Sequence, residues 1–177
     1  MIRHVTRRAF GFGTAAFAAG TVLPPATARA NSLPVPTGST ILSITGNIVA
    51  GNDEDGSVRF DRPMLEALGT VETLTTCPWY DGQIRFEGVP LARLLDRVGA
   101  RGARIIATGH GQMTAELPIA DLNRYRVIVA TKLNGSVVEA STIGPLFIIY
   151  PYDAHPELKQ PQYYERSLWQ VSRIVVL

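Results

Sequence analysis

The sequence predicts a β-rich α+β fold in one domain. The chain has 177 residues, of which 46% are hydrophobic and 18% charged, so it can form one packed domain and is not a disordered chain. Short runs of β-branched residues recur between glycines and prolines, and only two segments carry a helical pattern. Because strands do not alternate with long helices, a doubly wound nucleotide-binding fold is disfavoured.

Residues 1–30 have the pattern of an export signal. A charged start is followed by an apolar stretch over 10–23, which is too short to cross a bilayer of about 30 Å. Small residues at 28–30 offer a cleavage point. The run Thr-Arg-Arg-Ala-Phe at 6–10 is typical of twin-arginine export, with general secretion as the alternative. We therefore expect a periplasmic or secreted bacterial protein with no stable membrane span.

The predicted export signal and the rest of the chain differ in net charge. The formal net charge is +2, but residues 1–30 contain four arginines and no acidic residue. The remainder has 13 basic and 15 acidic side chains, a net charge of −2. Its arginines are scattered among carboxylates, so the pattern predicts no nucleic-acid partner. A single cysteine excludes an internal disulfide framework and a zinc site built from several thiolates.

The first elements of the mature chain are marked by turn and cap residues. Residues 31–40 carry several proline, serine and glycine residues and predict an extended lead-in, and 41–48 predict the first strand. Asp61 suits a helix N-cap and Pro63 the first turn, and Gly69 closes this short helix.

A second helix is predicted more clearly. It begins at Pro90 and ends at Gly99, and four apolar side chains fall at i, i+3, i+4 and i+7 from Leu91. Asn134-Gly135 predicts a type I′ hairpin. The remaining strands are predicted over residues 71–77, 83–87, 104–108, 113–117, 127–133, 136–140, 145–150 and 168–177. The last of these is hydrophobic enough to lie at the centre of a sheet.

Cys77 is the first candidate for chemistry. It ends a predicted strand and enters a loop that carries Trp79 and Tyr80, where a ligand pocket can form. A thiolate is the strongest nucleophile and the softest metal ligand among the common side chains. A small buried hydrophobic side chain is the alternative interpretation.

The histidines give weaker signals. His110 lies in a Gly-His-Gly turn, where it can bind a ligand or remain solvated. Asp153, His155 and Glu157 alternate, but nearby prolines break the strand that a metal site on one face would need. A Cys-His-Asp set of the protease type can be composed from Cys77, although no local signature surrounds that cysteine.

Aromatic residues concentrate near the C-terminus. Five of the eight Tyr and Trp residues fall within residues 150–169, namely Tyr150, Tyr152, Tyr163, Tyr164 and Trp169. Such side chains suit the wall of a site for a flat ligand, and equally a loop packed over a sheet.

The order of the motifs resembles the small exported relatives of the sulfite-oxidase-type molybdopterin-binding domain. The matching stretches are residues 43–47, 60–69, 86–91, 144–153 and 166–170, which span nearly all of 41–177. The resemblance implies an α+β fold with a mixed, barrel-like sheet and short helices over 41–177. It also implies a molybdopterin-dependent oxidoreductase whose partner is a small-molecule substrate or an unknown redox partner protein.

The resemblance also suggests roles for individual residues. In catalytic members one cysteine at a strand end binds molybdenum through sulfur, and Cys77, eleven residues before Gly88, occupies that place. Cys77 is thus the expected metal ligand, and the other expected site residues are Trp79, Gly144 and Tyr150 at the cofactor and His110 and Tyr152 at the catalytic centre. The places of two basic phosphate anchors hold Phe147 and Trp169, which carry no charge. A cofactor-free sensory or ligand-binding module on the same fold is therefore the alternative function.

Overall fold

Ten strands and four α-helices occur in residues 33–138 and 144–177, which the computed structural model describes. The strands are β1 (Leu42–Gly46), β2 (Val58–Phe60), β3 (Val71–Cys77), β4 (Tyr80–Pro90), β5 (Arg104–Thr108), β6 (Thr114–Pro118), β7 (Ile128–Leu133), β8 (Ser136–Val137), β9 (Phe147–Ile149) and β10 (Arg173–Val176). The helices are α1 (Arg62–Glu66), α2 (Leu91–Val98), α3 (Ile119–Tyr125) and α4 (Pro161–Tyr164). Short 3₁₀ turns cover His110–Gln112 and Pro156–Leu158. No helix within this described part is long and apolar enough to cross a membrane.

The first sheet has the strand order β2-β1-β10-β5-β6. β1 runs parallel to β10, whereas the other neighbours are antiparallel, so the sheet is mixed. β10 lies in the middle, with Ile174 and Val176 buried, as its hydrophobic sequence predicts. The C-terminal strand therefore anchors the segment that precedes it against this sheet.

The second sheet has the order β3-β4-β7-β8, and β9 pairs with β7. Its longest strand, β4, shifts register against β7 between Glu87 and Gly88. At Gly88 the two backbones approach so closely that a Cβ atom would lie 2.0 Å from the carbonyl oxygen of Val129. The turn from β3 to β4 carries Cys77 at one edge of this sheet.

Both sheets share one hydrophobic core. Ile44 and Ile174 from the first sheet belong to the same buried cluster as Phe86 and Val129 from the second. Helix α2 adds its predicted apolar stripe, which is fully or almost fully buried, and ends at Gly99 in a left-handed conformation with φ of 63°. The hairpin is also confirmed in type, because both central residues have positive φ, 47° at Asn134 and 81° at Gly135.

The mixed sheets and short helices confirm the predicted α+β fold, but two details of the architecture differ from the expectation. The described strands form two open sheets rather than a barrel-like closed one. The helix count also exceeds the two predicted. Helix α3 escapes prediction because it ends at Arg126, which takes the left-handed conformation with φ of 55° and gives no glycine stop signal.

Two predicted strands are longer than those observed. The last strand covers only Arg173–Val176 of residues 168–177, because Gln170 has a φ of 51° and breaks the extended backbone. The second hairpin strand is observed at Ser136–Val137, and the end of the predicted range, 139–140, lies outside the described residues. The export signal at 1–30 lies outside them as well.

Candidate functional site

Cys77 occupies an irregular strand end. It is the last residue of β3, where the pairing with β4 shifts register after Thr76, and its thiol is free and half-buried. Burial raises the pKa of the Cys77 thiol, while backbone N–H groups of Trp79 and Tyr80 act in the opposite direction and the Asp153 carboxylate adds a smaller upward effect. The thiol therefore keeps its proton at neutral pH unless a metal or a cation displaces it.

Asp153 fixes the residue that precedes Cys77. Its carboxylate accepts hydrogen bonds from the Thr76 backbone N–H at 2.8 Å and the Thr76 hydroxyl at 2.6 Å, and its own N–H donates to Thr75 Oγ1 at 3.1 Å. Lys159 Nζ lies 2.7 Å from the carboxylate and Gln83 donates at 3.1 Å. These contacts, led by the one from Lys159, hold the pKa of Asp153 well below its ordinary value. The ionised carboxylate thus ties the strand end to the loop after β9.

Three aromatic rings line a cleft that begins two residues beyond Cys77. The ring centroid of Trp79 lies 5.5 Å from that of Trp169 and 6.3 Å from that of Tyr164, and both neighbouring rings are nearly perpendicular to it. The cleft has a volume of about 290 Å³. Its remaining walls are formed by Met113, Thr114, Glu165, Ser167 and Leu168. We call it the aromatic cleft.

A second hollow of about 250 Å³ adjoins the aromatic cleft and shares Trp79 and Trp169 with it. Phe147 and Tyr80 complete its walls. Phe147 and Trp169 pair through a backbone bridge, and their ring centroids are 6.2 Å apart. The two positions that correspond to basic anchors in the resemblance thus pack against each other as an apolar wall.

His110 lies next to the segment that carries Trp169. Its ring nitrogen Nδ1 is hydrogen-bonded to Gln170 Oε1, and its backbone N–H donates to the carbonyl of Trp169 at 3.3 Å. The preceding Gly109 permits this approach, since a Cβ there would lie 2.4 Å from the Trp169 oxygen. The structure therefore brings His110 beside the Trp169 wall, although His110 itself does not line the cleft.

Tyr152 and Tyr150 are enclosed rather than open to the cleft. Tyr152 is fully buried, and its hydroxyl is bonded to Ser167 Oγ at 2.6 Å and to the Tyr163 carbonyl at 3.2 Å. Tyr150 is also fully buried, with its hydroxyl 3.5 Å from Asp121. Burial raises the pKa of both phenols. Gly144 is buried beside residues 139–143, which the structure does not describe, and the roles predicted for Gly144, Tyr150 and Tyr152 stay predictions.

Replacing Tyr152 with phenylalanine is expected to lower the free energy of unfolding by about 1–2 kcal/mol, because it leaves the Ser167 hydroxyl buried without its closest partner. Urea unfolding followed by circular dichroism measures this loss. In the background of Ser167→Ala the same substitution should cost less. Equal unfolding midpoints for wild type and Tyr152→Phe would show that this hydroxyl contributes no stabilising bond.

Comparison with known proteins agrees with this arrangement. The family model for the oxidoreductase molybdopterin-binding domain matches residues 64–152, which is half of the chain, includes Cys77 and ends one residue before Asp153. No curated protein matches the chain. The matched segment begins in α1 and runs through the second sheet and β5 and β6 to the loop after β9. The chain belongs to the oxidoreductase molybdopterin-binding domain family.

Proposed function

We propose that this protein is an exported oxidoreductase in which the Cys77 thiolate binds the molybdenum of a molybdopterin cofactor. The observation that carries the proposal is the setting of Cys77, a free thiol at the end of a paired strand, where the backbone N–H groups of Trp79 and Tyr80 lower its pKa against the larger effect of burial. A thiolate stabilised by such donors is a soft ligand and suits the molybdenum of the cofactor. When bound, the cofactor supplies the redox chemistry.

The residues around Cys77 would orient the metal and exclude water. Asp153 holds Thr76 through two hydrogen bonds and so limits the positions that the neighbouring Sγ atom can take. Trp79 and Trp169 form part of the wall of the aromatic cleft and give a small-molecule substrate an apolar surface there. His110 lies outside the cleft lining, where Gln170 Oε1 binds its ring, and would exchange a proton with a substrate that extends past the Trp169 segment. Tyr152 acts behind the wall by holding Ser167.

The phosphate end of the cofactor finds no matching charge here. Among the described residues that line the aromatic cleft and the adjoining hollow there is no lysine or arginine. A phosphate needs such partners, and the rings of Phe147 and Trp169 cannot supply them. This observation favours the second candidate function, a cofactor-free periplasmic ligand-binding or sensory module on the same fold.

The export signal supports a periplasmic or secreted location for either function. Twin-arginine export carries folded passengers, which allows a cofactor to be inserted before export. A redox partner protein would then meet the domain outside the cytoplasm. These statements depend on residues 1–30, whose pattern is known from the sequence alone.

Molybdenum analysis of the full chain separates the two functions. The protein is made with its own leader in a bacterium that synthesises the cofactor, purified from the periplasm and analysed for metal. We expect about one molybdenum per wild-type chain and at least a tenfold lower amount in Cys77→Ser, because the hydroxyl is a poor ligand for a soft metal. Asp81→Asn, in the same turn but exposed, should retain the wild-type amount.

Two results of the molybdenum analysis would contradict parts of the proposal. Metal-free wild-type protein from this host would contradict the oxidoreductase proposal and support the binding module. Equal molybdenum in wild type and Cys77→Ser would show that Cys77 is not the ligand, even if the cofactor is bound. Circular dichroism of Cys77→Ser confirms that the variant is folded before its metal content is compared.

A further inference from the structure

The composition of the aromatic cleft points to a particular class of ligand. Three of its walls are aromatic rings, Trp79, Tyr164 and Trp169, and each ring next to Trp79 is turned by more than 80° from the Trp79 plane. Rings that meet Trp79 nearly at right angles give the wall of a small cleft both ring faces and ring edges. An alkylated ammonium group is attracted to such faces because the ring quadrupole is negative there.

The charge at the rim agrees with that geometry. Glu165 is the one ionisable carboxylate among the described residues that line the cleft, and no basic side chain lines it. The neighbouring Arg166 forms an ion pair outside the cleft, since its guanidinium lies 2.7 Å from Asp121 and over the ring of Tyr163. An anionic ligand would therefore meet only an uncompensated carboxylate, whereas a cation would meet an opposite charge.

The cleft is also too apolar for a strongly hydrated cation. Besides the rings it presents Leu168 and Met113, and the thioether of Met113 is polarisable and half-exposed at the opening. A metal ion would need several oxygen or nitrogen ligands, and the described residues hold no cluster of three or more His, Cys, Asp or Glu side chains. A cation whose charge is covered by methyl groups gives up little hydration on entering such a site.

We propose that the aromatic cleft binds a small organic cation with an alkylated nitrogen, such as a trimethylammonium group. Trp79, Trp169 and Tyr164 contribute the cation–π contacts, and Glu165 balances the charge. This assigns a recognition group to the substrate of the proposed oxidoreductase, and the identification of the ligand as substrate rests on that proposed function. The binding itself requires no cofactor.

Choline provides the probe, and 3,3-dimethylbutan-1-ol is its uncharged isostere. Both tryptophans of the chain line the cleft and the adjoining hollow, so intrinsic tryptophan emission reports on these two sites, and the Tyr80→Leu variant distinguishes between them. Titration of cofactor-free protein at constant ionic strength is expected to give a saturable change with choline. The affinity for the uncharged isostere should be about tenfold lower, in line with the strength of cation–π and charge contacts at a partly desolvated site.

Two variants locate the effect. Trp169→Leu is expected to weaken choline binding about tenfold, with Trp79 as the remaining reporter. Glu165→Gln, an exposed substitution that preserves the fold, should weaken choline binding about threefold and leave binding of the alcohol unchanged. Tyr80→Leu, which removes a ring from the adjoining hollow only, and Glu54→Gln, on a distant loop, serve as matched controls and should bind choline normally.

Equal affinities for choline and the alcohol, or no saturable change with choline, would overturn the cation proposal. The proposal would also be overturned if both Glu165→Gln and a folded Trp169→Leu bound choline with wild-type affinity. Because the titration uses cofactor-free protein, a failure here leaves the molybdenum result untouched. Conversely, choline binding by a protein that never carries molybdenum would support the cation site within the ligand-binding module.

Discussion

Replacing Gly88 with alanine is expected to lower the free energy of unfolding by about 4 kcal/mol, enough to unfold a typical single domain in part. A Cβ at this position would lie 2.0 Å from the Val129 carbonyl oxygen and 2.5 Å from Ala130 Cα. Both atoms belong to the backbone of β7, so relief requires separating β4 from β7 at the register shift. Urea unfolding followed by tryptophan emission and by circular dichroism measures the loss.

A matched glycine substitution controls for the loss of backbone freedom. At Gly38 the nearest atom to an added Cβ is Asp61 Oδ2 at 3.5 Å, an ordinary contact, and the backbone keeps its hydrogen bond to that carboxylate. Gly38→Ala should therefore unfold within about 1 kcal/mol of wild type. An unfolding midpoint for Gly88→Ala equal to that of Gly38→Ala would contradict the close approach of the two strands.

Elements with strong local signals could be predicted from the sequence. Helix α2 has a complete apolar stripe from Leu91 and a glycine stop at Gly99, so its bounds follow from residues within one short segment. The hairpin at Asn134-Gly135 is equally local, because positive φ at two successive residues selects that turn. Helix α1 adds an N-cap at Asp61 whose carboxylate accepts from the Met64 N–H at 2.9 Å.

Arrangements that depend on distant contacts could not be predicted in this way. The parallel pairing of β1 with β10 joins the two ends of the domain. No local sequence signal near Ser43 indicates that it pairs with Arg173. The closure of the sheets was carried over from a resemblance, and the open sheets show that motif order does not determine how strands close. Helix α3 lacked a stop signal because Arg126 itself adopts the left-handed backbone.

The same division applies to the candidate site. Cys77 and Trp79 could be chosen from the sequence because a lone cysteine beside aromatics is visible locally. Tyr164 and Trp169 were also candidates for the wall of a ligand site, but only the structure shows that they meet Trp79, from almost a hundred residues away. The part played by Asp153 was missed, since its alternation with His155 and Glu157 suggested metal ligands, whereas its carboxylate binds Thr76 across 77 positions.

Asp153→Asn is expected to remove about 2–3 kcal/mol of stability at pH 7, because the neutral amide cannot replace a carboxylate that Lys159, Thr76 and Gln83 all contact. The pKa of Asp153 is depressed in the folded state, and the unfolded carboxyl titrates near about 3.9. Its stabilisation is therefore fully present above that pH and is lost as pH falls toward the folded pKa. The difference between wild type and Asp153→Asn should shrink below about pH 4, as urea unfolding at several pH values will show.

The exposed Asp81→Asn substitution in the adjacent turn is the control and should change stability little at any pH. A difference between wild type and Asp153→Asn that stays constant from pH 3 to pH 7 would show that the charge of Asp153 is not what stabilises the strand end. The Cys77 thiol supplies an independent readout. Because the Asp153 carboxylate contributes to the raised pKa of Cys77, its neutralisation should move the pH profile of Cys77 alkylation to lower pH. A merely structural Asp153 would leave that profile in place, so the shift distinguishes a residue that positions and tunes the thiol from one that only supports the loop.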